Sequence, residues 1–259
     1  MNNLSNMIWI EQRKAIRSRM PLFTALGSLA LPLGVAFLLF ISRNPEISRQ
    51  LGLISTKANL MAATATNWPT YLGLLTQMLA MGGLILFVLI ISWVFGREFA
   101  DGTVKDLLAV PVPRTTILLA KLLVAAVWSI ALAILIFLLG LVMGALIQLP
   151  QGSTSIVLQS SIRGAITTCL VIAAMLPFAF FASLGRGYLL PIGLVFLTLI
   201  LANLMVVAGW GEFFPWSVLG LYAQGKETLP AVSYGLVILT GLVGMIATYL
   251  WWKYADQNR

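Results

Sequence analysis

Six long apolar runs fill most of this chain, and they settle its solvent before any finer feature is read. A helix that crosses the hydrocarbon core of a bilayer needs about 20 mostly apolar residues. Runs of that length occur at Leu22–Ile41, Tyr71–Phe95, Ile117–Ile147, Ala165–Leu184, Leu189–Gly209 and Val232–Trp252. The third is long enough to tilt or to project beyond the lipid. Charged residues make up only 9% of the chain, against about 25% in a soluble domain. No run alternates apolar and polar residues as a barrel strand would. The expected class is all-α: a polytopic membrane protein with six transmembrane helices forming one transmembrane domain over residues 1–259.

The charges sort by side. Six spans place both termini on one face, with Arg13, Lys14, Arg17, Arg19, Arg97, Lys105, Arg114, Lys121, Arg186, Lys253 and Arg259. The other face holds Arg43, Arg49, Lys57, Arg163 and Lys226. The positive-inside rule then predicts a plasma-membrane protein with cytoplasmic termini. The net charge of +8 is read as topology with a pull toward anionic lipid, not as a nucleic-acid footprint.

Several chemistries drop out. There is no histidine, which removes imidazole bases, proton shuttles and imidazole–metal sites. The single cysteine, Cys169, cannot form an internal disulfide and reads as a small packing residue; no metal site is expected. The span interiors carry no Asp, Glu, Lys or Arg, with Lys121 near the inner end of the third. An ion-coupled transporter or intramembrane enzyme therefore lacks its usual ionisable residue. Gly220–Lys226 has the spacing of a phosphate-binding loop, but Glu227 stands where a hydroxyl is needed.

Between the spans, residues 1–21 predict an amphipathic interfacial helix, with Trp9, Ile16 and Met20 at helical spacing and Arg13, Lys14 and Arg17 on another face. Asn44-Pro45 breaks the first span, and residues 148–164 read as a polar outer loop. Gly185-Arg186-Gly187 predicts a tight turn in which glycine supplies the unusual backbone angles. Residues 210–231 are too apolar for a solvated loop and predict a segment re-entering the outer leaflet. Gly140 and Gly144 allow close helix approach, and Pro177 kinks the fourth span.

The specific signal is the charged stretch over residues 96–116. The second helix is expected to run to about Asp101 and stop at Gly102. Thr103-Val-Lys-Asp106 then has the spacing of a capping box. The helix it opens is short and ends before Pro111; Pro113 starts the next one. Two turns do not stand alone. Leu107, Leu108 and Val110 give this helix an apolar face, and Lys105 and Asp106 a charged one. It needs a surface, either of its own bundle or of a soluble partner.

Glu98, Gly102-Thr103, Pro111, Arg114 and Lys121 resemble the pattern of the ABC-2 type permeases, the membrane subunits of one class of ATP-binding-cassette exporters. Within that family, the Gly-Arg-Gly turn at 185–187 and Phe214-Pro215-Trp216 look most like the permeases of bacitracin- and lantibiotic-resistance systems. The resemblance implies that the two-turn helix is a cytoplasmic coupling helix, docking through Glu98, Gly102, Thr103, Lys105, Asp106, Leu107, Leu108 and Arg114. It implies two separate ATPase subunits, which would hold ATP and magnesium while this chain holds no cofactor. It also implies a second permease copy, identical or related. The path between copies would be walled by the second and fifth spans, with Gln77 and Asn203 offering hydrogen bonds and Phe213, Phe214 and Trp216 closing its outer end. The function implied is efflux of a hydrophobic or amphipathic substrate such as a peptide antibiotic. The alternative is a non-transporting membrane assembly or immunity protein.

Overall fold

A computed structural model describes residues 3–43, 67–225 and 229–254. Among the described residues there are ten α-helices, one 3-10 turn and no strand: α1 Asn3–Arg17, α2 Met20–Arg43, α3 Trp68–Ala100, α4 Val104–Ala109, α5 Arg114–Leu146, α6 Thr154–Met175, α7 Pro177–Leu184, α8 Leu189–Val207, the turn Gly211–Phe213, α9 Pro215–Ala223 and α10 Ala231–Tyr254. Among the described residues six helical segments are long and apolar enough to cross a membrane, with α6 and α7 counted together. The protein is a multi-pass membrane protein. The break at Asn44-Pro45 and the pair Lys226-Glu227 lie outside the described residues.

α3 is the hub. It is apolar all round, which suits a helix surrounded by others, and Tyr71, Leu72, Leu84, Phe87, Ile90 and Ile91 are all fully buried on it. It packs against α2, α5, α6, α7, α8 and α9. Its start is fixed by Asn67, whose side chain accepts from the Thr70 N–H at 3.0 Å, with Pro69 in the first turn. At 33 residues it is about 50 Å long, so it outruns a hydrocarbon core of about 30 Å.

The fourth span starts earlier than its hydropathy suggests. Residues 154–164 are helix, not loop, because Ser153 accepts from the Ile156 N–H and caps a new N-terminus. Of the serines that read as loop, Ser161 folds back onto its own helix, donating to the Val157 carbonyl at 2.7 Å. At Pro177 the span divides into α6 and α7, with Leu176 still helical. α10 fills the bend: a Cβ on Gly244 would lie 2.5 Å from Pro177 N and Cα, and one on Gly241 2.7 Å from the Ala173 carbonyl oxygen. Gly140 and Gly144 of α5 serve α3 in the same way, facing Leu75 and Trp68.

The turn at 185–187 works differently from its sequence reading. Arg186, not a glycine, takes the left-handed conformation, at φ 49°. Gly187 instead presses its backbone against α3, where a Cβ on Gly96 would meet it at 2.9 Å.

Beyond α8 the chain turns through Gly211–Phe213 and enters α9, whose Ser217, Val218, Leu219 and Gly220 are buried. The Trp216 indole donates to the Ala174 carbonyl at 3.1 Å, and the Ser217 hydroxyl to the Ala202 carbonyl at 3.2 Å. Ala174 stands ten residues from Leu184, about 15 Å along the axis. α9 therefore begins deep between the spans and has its polar groups met by protein. Cys169 is exposed on the outside of the bundle, not packed within it.

Candidate functional site

The charged stretch folds at the end of the bundle where α3 passes into α4 and Arg114 reaches the last turn of α10. α3 ends in a Schellman motif. Gly102 sits at φ 70°, its N–H donating to the Phe99 carbonyl at 3.3 Å, and the Thr103 N–H donates to the Glu98 carbonyl at 2.9 Å. This overturns the capping box. Thr103 has φ −91° and ψ 6° and makes no side-chain cap, because its backbone already closes α3 and lacks the extended geometry an N-cap needs.

α4 is six residues long. Val104 is buried and Leu107 half-buried against the core, while Lys105, Asp106 and Ala109 are exposed. The helix thus seats on its own bundle by one face and presents the other outward; the side chain of Leu108 is outside the described residues. Val110 is not part of the apolar face: the helix ends at Ala109, Val110 turns extended and exposed ahead of Pro111, and Pro113 leads into α5. Arg114 anchors the far end of the loop: its Nη1 donates to the carbonyls of Trp252 at 2.6 Å and Lys253 at 3.3 Å. A cation on the last carbonyls of α10 also opposes the helix dipole.

Glu98 is not an exposed docking residue. It is 4% exposed and part of a buried ionic cluster. Lys121 of α5, 0% exposed, directs its ammonium to Glu98 Oε1 at 2.8 Å, Glu11 Oε2 at 3.1 Å and the Val94 carbonyl at 2.8 Å. All three of its donors are used. Lys14 binds Glu11 Oε1 at 2.8 Å and Glu98 Oε1 at 3.2 Å. Burial works against the Lys14 charge, but Glu11 and then Glu98 outweigh it, so its pKa lies above the ordinary lysine value. Glu98 Oε2 is buried with no partner among the described residues.

Two acids and two bases thereby tie α1, α3 and α5 at one point. Glu11 and Lys14 were not among the expected site residues. The signal was available: Lys121 in an apolar run needs a counter-charge, and few acids lie on its side. The buried face of α1 is accordingly Met7, Glu11 and Ala15, while Trp9 and Ile16 point away from the bundle. Arg97 pairs with Asp101 at 3.2 Å.

The expected path residues are scattered. Gln77 is half-buried on α3 and Asn203 exposed on α8. The Asn203 amide donates to the Leu199 carbonyl of its own helix at 2.8 Å, and no hydrogen bond joins it to Gln77 among the described residues. The aromatic segment is more coherent. Phe214 and Trp216 lie 5.3 Å apart, Trp216 meets Phe178 at 6.3 Å, and the half-exposed Phe213 packs beside Trp210 at 6.2 Å.

Comparison with known proteins places this arrangement. Residues 7–203 match the ABC-2 family transporter protein family. The chain belongs to that family. The match takes in α1, the charged stretch and the first five spans. The ABC-2 chain is also similar to the bacitracin transport permease protein BCRB of Bacillus licheniformis, 27% identical over 177 residues, covering 67% of this chain and 85% of the relative.

Proposed function

We propose that this chain is the permease subunit of an exporter, driven by ATP hydrolysis in separate ATPase subunits and moving a hydrophobic or amphipathic substrate such as a peptide antibiotic. The observation that carries the reading is the seating of α4. A two-turn helix held to the bundle by Val104 and Leu107 leaves Lys105 and Asp106 facing outward, where a soluble subunit would grip it. Gly102 and Thr103 form the exposed turn beside it. A push on α4 passes directly into α3, since the Thr103 N–H is bonded to Glu98. Glu98 in turn holds α1 and α5 through Lys14 and Lys121.

In this reading the charged end is cytoplasmic, as its eleven cations imply. α9 then re-enters the outer leaflet, and the cluster of Phe213, Phe214 and Trp216 closes the outer end of the path. A second permease copy completes that path along α3 and α8. The sparsely buried α8, with Phe196, Ile200 and Leu204 exposed, offers the surface for it. Gln77 and Asn203 supply its few hydrogen bonds. The name of the bacitracin permease relative supports an antibiotic of that class as cargo.

The test is expression of this chain with its ATPase in a bacitracin-sensitive host. Raised tolerance of bacitracin, lost with Lys105→Glu/Asp106→Lys, supports the proposal. Tolerance that persists in an ATPase-dead host would point instead to a non-transporting immunity protein.

A further inference from the structure

α1 leaves a pocket of about 360 Å³ on the flank it turns toward the end of α3. Its walls are Trp9, Ile10, Arg13, Lys14, Arg17, Ser18 and Arg97. Four of these are cations. Lys14 is neutralised within the buried cluster, where two acids meet two bases. Arg97 is matched by Asp101 through Nε only; its Nη1 is buried and has no partner among the described residues. Arg13 lies over the Trp9 ring, 4.7 Å from its centre, which leaves its donors free. Neither Arg13 nor Arg17 has an acidic partner among the described residues. The pocket thus holds two uncompensated guanidiniums and a third with a buried, unmet donor.

We propose that this pocket binds the phosphate headgroup of an anionic phospholipid from the leaflet on its own side of the membrane. Phosphate oxygens match the planar donor fork of arginine, which lysine does not offer. The rim decides for a lipid over a free phosphate. Trp9 is 58% exposed and Ile10 39% exposed, and both project from the amphipathic helix that leads into the first span, the kind of element whose tryptophans settle among headgroups. A soluble anion would gain nothing from that apolar lip, whereas the glycerol and first methylenes of a lipid would cover it. Because α1 also carries Glu11 and Lys14, the headgroup would brace the helix that the buried cluster holds from the other side.

The purified full chain is mixed with phosphatidylglycerol or phosphatidylcholine, and retained lipid is counted by native mass spectrometry. Phosphatidylglycerol should be retained at a concentration at least about tenfold lower, from the excess cations. Arg17→Gln and Arg97→Gln should each weaken that retention about fivefold, the contribution of one cation near an anionic surface. Arg19→Gln, outside the pocket, should leave it unchanged. Equal retention of the two lipids overturns the proposal, as does an equal loss with Arg19→Gln. Displacement of the lipid by millimolar inorganic phosphate would assign the pocket to a free anion and overturn the lipid. Arg17→Gln releasing the ATPase while keeping phosphatidylglycerol would make it a protein contact, with the same consequence.

Discussion

Lys121 concentrates the physics of this protein at the scale of a single residue. A fully buried ammonium is tolerable only because each of its three donors meets an acceptor. Removing the charge from one side strands the other, and breaking a buried pair costs about 3 kcal/mol or more. Lys121→Met should therefore sharply lower the thermal stability of the detergent-solubilised protein. Adding Glu98→Gln to it should recover part of that loss, because it removes a carboxylate left without its main partner. A double-mutant cycle read by fluorescence-detected size exclusion checks this; strictly additive losses would show that the two residues do not act as a pair. Glu98→Gln alone is milder, since Lys121 keeps Glu11 and Val94. It should reduce transport while leaving ATPase co-purification intact, because Glu98 lies behind the outward face of α4 and not on it.

Among the elements, the fourth span and α10 form the tightest joint. The bend at Pro177 fits against Gly241 and Gly244, and a methyl at Gly244 has the rigid backbone and ring of Pro177 to displace. Overpacking of this kind costs about 1–3 kcal/mol. Gly244→Ala should fall in that range by thermal unfolding, whereas Gly235→Ala, with open space around it, should cost nothing. The helices and their stops were legible in the sequence because runs of apolar residues, Gly102, Pro111 and Pro113 act locally. Thr103 was misread for the opposite reason: the same residue can cap the next helix or close the previous one, and Gly102 beside it decided for closure. The early start of α6 was hidden because its serines read as loop, whereas Ser153 caps the helix and Ser161 bonds to a carbonyl within it. Glu98 looked like a surface charge because its partners, Lys14 and Lys121, are 84 and 23 residues away in sequence, on α1 and α5. Only the packing of three helices brings them together.

For the whole molecule, the decisive question is which way the bundle faces, since the proposed coupling works only if α4 is cytoplasmic. The charge asymmetry argues for that orientation, and α4 and Ser153 stand at opposite ends of α5. Labelling can read it in intact cells. In a Cys169→Ala background, needed because Cys169 is itself exposed, single cysteines are placed at Ser153 and Lys105. Ser153 lies outside the helices and Lys105 on the open face of α4, so both sites are accessible and neither belongs to the buried cluster. A membrane-impermeant maleimide should modify the cysteine at 153 in intact cells, and the one at 105 only after the membrane is opened. With the ATPase co-expressed, the cysteine at 105 should become slow to react even in opened membranes, because the docked subunit would cover it. Labelling of 105 from outside would place α4 beyond the reach of any cytoplasmic ATPase and end the coupling proposal. Inside labelling of 105 with no protection by the ATPase would keep the topology and move the docking site elsewhere on the charged end.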